Sequence, residues 1–219
     1  MKLWSDSFAD GGMISSNNAF GTIDPVDHVQ LAANKNPHLA WQDLPSGCQS
    51  LALICHDPDV PSRGDDVNQE GKTVPPDLPR VDFFHWTLID LPPTRQAIAE
   101  GEFSDGVTAR GKPDATVGNA RQGINDFTGW FASDPQMAGD YYGYDGPCPP
   151  WNDALVHRYV FTLYALDIAR LPLAGRFDGK QARTAMRGHI VDQASIVGRY
   201  TLNPHLYSGP SGPNPTSIA

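Results

Sequence analysis

The apolar run Leu51-Ala52-Leu53-Ile54-Cys55 and the segment after it, Asp57-Pro58-Asp59-Val60-Pro61, constrain this chain more than any other stretch. The run reads as a buried strand of about five residues bounded by turn residues. Proline fixes φ and cannot donate to a sheet ladder, so the chain is expected to leave the sheet at Pro58. Two prolines in four residues stiffen the segment and hold two carboxylates on a rigid turn at a strand end. From these residues alone, two readings stand. Asp57 and Asp59 cap their own backbone, or they face a site.

Two further stretches read as strands. Val81-Asp82-Phe83-Phe84-His85-Trp86-Thr87-Leu88-Ile89 is rich in aromatic and β-branched residues. Its alternation puts Val81, Phe83, His85, Thr87 and Ile89 on one face. Leu155 to Leu166 is the second, with His157, Tyr159, Phe161 and Leu163 on one face and Arg158, Val160 and Thr162 on the other. Residues 1–22 are expected to form short strands broken by turns. Residues 62–80 read as a polar loop, and 100–153 as a long Gly-, Asp-, Asn- and Pro-rich stretch, a length at which a structureless segment is normally either functional or misassigned. Ala182, Ala185, Met186, Ile190 and Ala194 fit one face of a helix over 180–194, with a short strand at Ile196–Tyr200.

The 21 glycines and 20 prolines are spread rather than periodic, which predicts many turns and excludes collagen-like repeats. A formal charge of −9 excludes broad electrostatic binding of nucleic acid. A local pocket for one phosphate stays open. Cys48, Cys55 and Cys148 show neither CxxC nor zinc spacing. No apolar run approaches the length of a membrane span, and Met1–Asp6 lacks the build of a signal peptide. The expectation is a cytoplasmic protein without integral membrane contact.

The sequence contains no G-x-S-x-G elbow, no phosphate-binding P-loop, no G-x-G-x-x-G and no H-E-x-x-H. No cofactor, no metal site and no catalytic residue is therefore expected. What remains is dispersed: Asp57 and Asp59 beside Pro61, His85 and His157 within apolar strands, and Gly143 to Pro150 as a stiff flanking loop. A lone strand histidine is more often a core residue satisfied by neighbours. Two of them with an Asp-Pro-Asp segment can grip an oxyanion if the imidazoles donate, or a divalent metal if they accept.

Asp57-Pro58-Asp59-Val60-Pro61-Ser62, the His85 strand, the Gly146-Pro147 loop and His157-Arg158-Tyr159 resemble the phosphatidylethanolamine-binding protein family, most nearly its bacterial, Raf-kinase-inhibitor-like branch. Ala185-Met186-Arg187-Gly188-His189 and the start Met1–Gly12 are similar to that branch as well. The resemblance implies a mainly β chain: one domain over 1–207 with a loose tail at 208–219. It implies a sandwich of a large antiparallel sheet and a smaller one, with one or two helices near the C-terminus. It also implies a small pocket for an anion or phosphoryl headgroup. Carried over residue by residue, that pocket takes Asp57, Asp59 and Pro61, then His85, then His157 and Tyr159, with Tyr144, Gly146 and Pro147 as loop wall.

The expected mechanism is recognition rather than chemistry. Asp57 accepts from one imidazole and leaves its other nitrogen to donate to a phosphoryl oxygen. Backbone N–H groups near Gly146 add donors, and Arg158, on the opposite face, pairs with an acidic residue. Two stretches depart from the family pattern: the long 62–80 loop, and the added residues before His157 with Trp151 among them. Three functions compete, in this order: an anion or phosphoryl-ligand binding protein; an inhibitor or regulator of a kinase or protease acting through its loops; and a metal-dependent hydrolase using Asp57, Asp59, His85 and His157. Relatives of the bacterial branch include homodimers.

Overall fold

The computed structural model describes residues 1–114 and 119–206. The tail from Ser208, read above as loose, lies outside them. Three long strands form the centre: β5 (Ser50–Pro61), β6 (Arg80–Leu91) and β9 (His157–Leu166). With β8 (Arg121–Gln122) and β10 (Ile190–Tyr200) they make an antiparallel sheet in the order β10-β9-β5-β6-β8. A three-stranded sheet, in the order β1-β4-β7, is built from β1 (Lys2–Trp4), β4 (Leu39–Gln42) and β7 (Ala97–Ile98). A hairpin of β2 (Gly21–Asp24) and β3 (His28–Leu31) stands beside them.

Alternation sorts the side chains of the large sheet into two apolar layers. Leu51, Leu53 and Cys55 of β5 join Tyr159, Phe161, Leu163 and Ala165 of β9 on one face. They pack with Leu39, Trp41 and Ile98 of the smaller sheet, which makes the sandwich core. The other face, with Ala52, Ile54, Phe84 and Ile89, is covered by Leu171, Phe177, Ala182 and Met186. Ala182 lies on α2 (Gly179–Ala185), whose start is fixed by a capping box between Asp178 and Gln181. A shorter helix, α1 (Phe127–Trp130), lies mid-chain. No helix among the described residues is long and apolar enough to cross a membrane.

Three expectations are corrected. The chain does not leave the sheet at Pro58: β5 is twelve residues long and continues to Pro61. Its ladder to β9 ends at His56, while its ladder to β6 resumes at Val60–Val81 after a register shift. A proline missing its donor is tolerated on a strand segment that is an edge on one side and bulged on the other. The helix stops at Ala185 rather than running to 194. Gly188, at φ +84°, turns the chain into β10, which pairs with β9 along its whole length. Finally, His85 does not share one face with Thr87 and Ile89. Cys55 pairs with Trp86 and His56 with Phe84, so His85 is the extra residue of a β-bulge. Beyond it the alternation is offset, and Ile89 points into the second layer.

Candidate functional site

The inward rows of the large sheet are apolar until their last positions. The β5 row Leu51, Leu53, Cys55 ends on Asp57, and the β9 row Ala165, Leu163, Phe161, Tyr159 ends on His157. The bulge delivers His85 to the same end. Here the sandwich opens into a cavity of about 490 Å³, floored by Asp57, His85, His157 and Tyr159. The remaining walls are mostly apolar. Phe20 and Val29 come from the hairpin region, Phe127, Trp130 and Phe131 from α1 and its end, and Cys148, Pro149 and Pro150 from the proline-rich loop.

His157 is fully buried and both its ring nitrogens are committed. Nδ1 donates to Asp57 Oδ2 at 2.7 Å and Nε2 to Asp153 Oδ2 at 3.0 Å. Burial opposes a charged ring, but the two carboxylates outweigh it and hold the imidazole at about 9. It is therefore an imidazolium at neutral pH. Asp153 also receives Arg80 Nη1 at 2.6 Å and Nη2 at 3.1 Å. Against its burial, His157 and Arg80 keep its carboxyl below the ordinary carboxylate range. Asp57, His157, Asp153 and Arg80 thus form one buried chain of alternating charge. The imidazole that Asp57 accepts from is that of His157, and the expectation that such a ring keeps its other nitrogen for a ligand is corrected: that nitrogen donates to Asp153.

His85 is held differently. Its Nδ1 donates to the backbone carbonyl of Asp145 at 2.7 Å, and the Asp145 N–H returns a bond to the His85 carbonyl at 3.1 Å. A carbonyl only accepts, so the proton sits on Nδ1. Nε2 is left as the ring nitrogen available to the cavity, with no bond among the described residues. Burial pushes this imidazole below its ordinary value and keeps it neutral. The Asp145 carboxylate that steadies this contact is fully buried and is held by Lys112 at 2.6 Å, Asn34 at 2.7 Å and Asn125 at 2.8 Å. Tyr159 stands edge-on to His85, ring centroids 5.1 Å apart, and its buried hydroxyl has no partner among the described residues.

The other residues carried over from the family pattern sit outside the cavity lining, except Pro61, which contributes to it. Asp59 forms a bidentate pair with Arg158, Nε at 2.8 Å and Nη2 at 2.7 Å, so Arg158 does pair with an acid. The Tyr144 hydroxyl donates to the Asn18 carbonyl. The Gly146 N–H, expected to face a ligand, donates to Asn34 Oδ1 at 2.8 Å, and a Cβ there would stand 2.3 Å from the Asn18 carbonyl oxygen. The Pro147 carbonyl accepts from Phe20 and Gly21. These groups hold the loop in place, and the cavity meets the next three residues instead. Arg80, Asp145 and Asn34 were missed because each acts through contacts distant in sequence, and Asp153 because its place four residues before His157 is no recognisable spacing signature.

The two departures from the family pattern turn out to be one wall. Loop 62–80 lends Ser62, Arg63, Gly64, Val67 and Asn68 to the cavity. It docks on the added residues before His157. Asn152 Nδ2 lies 2.8, 3.3 and 3.1 Å from the carbonyls of Asp66, Gln69 and Lys72, and its Oδ1 accepts from Asn68 N–H at 3.0 Å. Trp151 stacks on His28 of the hairpin, ring centroids 3.8 Å apart, and His28 pairs with Glu70 of the loop. Replacing Asn152 by Ala should leave loop carbonyls unsatisfied at about 1–3 kcal/mol. Limited proteolysis should then cut within 63–78 much faster than in the wild type. Equal cleavage rates would mean that Asn152 does not hold the wall.

Comparison with known proteins agrees with this architecture. The family model described as phosphatidylethanolamine-binding protein matches residues 4–201. A UPF0098 protein of Methanothermobacter thermautotrophicus is 32% identical over 201 residues, covering 91% of this chain and 98% of the relative. The UPF0098 protein YbhB of Escherichia coli is 28% identical, covering 92% of this chain and all of the relative. Among solved structures, E. coli YbcL, described as a new member of the mammalian PEBP family, superposes with a TM-score of 0.65 at 22% identity, covering 91% of this chain and 97% of its own. A putative homologue from Chlamydia trachomatis, CT736, gives 0.61 at 28% identity, covering 91% and 95%.

Proposed function

We propose, from the premise that the chain belongs to the phosphatidylethanolamine-binding protein family, that it binds a small anionic or phosphoryl group in the cavity floored by His85 and Tyr159 and does not turn it over. One observation carries this reading. Buried polar groups are normally satisfied, yet among the described residues neither the Tyr159 hydroxyl nor His85 Nε2 has a partner, and both side chains line this cavity. These are the groups a ligand would complete. The charged residues around them are already paired with one another, which gives a rigid frame. The non-catalytic part of the reading rests on nucleophile chemistry. Burial pushes the Cys148 thiol up to about 12 and the Tyr159 phenol well above its ordinary value, so neither supplies an anionic nucleophile at neutral pH. All three cysteines are unpaired, which fits a reducing compartment, and we place the protein in the cytoplasm on that basis.

Thermal unfolding with and without inorganic phosphate tests the reading. At a hundred times its dissociation constant a ligand should stabilise the fold by about 2.7 kcal/mol. The shift should be present in the wild type and largely lost in Tyr159→Phe and in His85→Asn, which retains an amide donor toward the Asp145 carbonyl. A shift of the same size in both variants would place the bound anion elsewhere. A product formed from a phosphoryl ester would refute the non-catalytic part.

A further inference from the structure

We propose that the cavity takes a weak monobasic acid with an apolar body, bound as its anion together with one proton on His85 Nε2. This rests on the ligand-binding reading of the same cavity and adds the class of ligand. A lone phosphate or acetate fills only a small part of about 490 Å³. The rest is lined by apolar side chains. Phe20 and Phe127 are stacked with centroids 4.6 Å apart, Phe127 and Phe131 at 5.6 Å, and Met137 and Pro150 extend that surface. Such a volume with a few convergent polar groups is typical of sites for small organic molecules.

Charge decides the headgroup. Asp57 and Asp153 are matched by His157 and Arg80, Asp145 by Lys112, and Asp59 by Arg158. Arg63 at the rim pairs with exposed Asp65. The site is therefore neutral before a ligand arrives, and a buried uncompensated charge is costly. One proton on His85 supplies one positive charge, which a monoanion neutralises and a dianion exceeds. It also turns Nε2 from an acceptor into a donor. Protonated, Nε2 is a charged donor to a carboxylate oxygen.

Groups facing His85 from each neighbouring element leave it the residue that changes charge. Asp57 and His157 form the ion pair on β5 and β9, and the Asp145 carboxylate is held by Lys112 and two asparagines. Tyr159 and Cys148 stay protonated. His56, also on β5, is kept toward its neutral form by burial and Arg183. Asp126, at the start of the α1 helix that packs on His85 through Phe127, has its carboxyl raised by burial and accepts from the Phe84 N–H at 2.8 Å.

Calorimetric titration of the full chain with sodium octanoate, sodium acetate and inorganic phosphate tests this. Each buried methylene is worth about fourfold in affinity, so octanoate should bind at least about a hundredfold more tightly than acetate. Titrations in buffers of different ionisation enthalpy at about pH 8 should show one proton taken up per octanoate. Affinity should fall about tenfold per pH unit across the range where His85 stays neutral without ligand. His85→Asn should abolish the proton uptake; the wild-type proton count decides the matter even if that variant folds poorly. Octanoate binding no tighter than acetate, or without proton uptake, overturns the inference. Phosphate binding that needs Tyr159 and His85, without octanoate binding, overturns it and leaves the ligand-binding reading intact. Binding of none of the three overturns both.

Discussion

Replacing Asp153 by Ala should destabilise the protein by about 3–5 kcal/mol, read as a lower urea midpoint at unchanged slope. Asp153 is fully buried and is the node at which two cations meet, the His157 imidazolium and the Arg80 guanidinium. It also accepts from the backbone N–H of Leu155 at 3.0 Å. Removing one member of a buried charge array costs more than the array contributes, because the remaining charges stay in low dielectric without a partner. Arg80 makes the loss larger. It reaches the carbonyls of Asp59 and Pro75 at 2.8 Å, so its displacement frees the end of loop 62–80 and the bulged end of β5 together. Asp153→Asn keeps the volume but supplies one neutral acceptor to two cations, and it should recover only part of the loss. A change below about 1 kcal/mol in the Ala variant would mean that water reaches this array and screens it.

The three central strands were legible because each combines β-branched and aromatic residues with a period that the pleat requires. The inward row of β9 was legible for the same reason, and it correctly placed His157 and Tyr159 together. Each misreading has a local cause. Ala182, Ala185, Met186, Ile190 and Ala194 satisfy a helical period by coincidence, because the first three lie on or at the end of α2 and the last two on a strand. Gly188 between them was the stop signal. The bulge at His85 depends on how two strands a full loop apart align, which no window of one strand contains. Within the site, Asp57 and His157 were legible as residue types in apolar strands. Their role was not, since it depends on Asp153, which lies in a turn after a proline pair and meets His157 only because β9 starts four residues later. Asn152 was hidden in the same way: its partners are backbone carbonyls, which leave no trace in side-chain identity.

Stability should fall by about 3 kcal/mol as pH rises from 6.5 to about 9, and His157 is the cause. Its folded value, about 9, lies above the ordinary 6.5, so folding favours the protonated ring. The contribution is complete below 6.5, where the unfolded chain is protonated too. Between 6.5 and 9 the unfolded chain has released the proton and the folded one keeps it, so stability drops by about 1.4 kcal/mol per pH unit. His85 does not add to this slope. Its folded value lies below 6.5, so above that pH it is neutral in both states, and its own cost appears only on acidification. Asp153 and Asp59, held low, contribute above 3.8 and are equally constant here. The buried thiols add a further loss only as the unfolded cysteines ionise toward pH 9, because burial keeps Cys55 and Cys148 protonated in the fold. A His157→Gln variant carries the same cysteines, so the difference between its pH profile and that of the wild type isolates the ring. That difference should shrink steadily above pH 6.5 and level off past about 9. Parallel profiles would show that the fold holds no extra proton at this site, with His157 neutral in both states above 6.5.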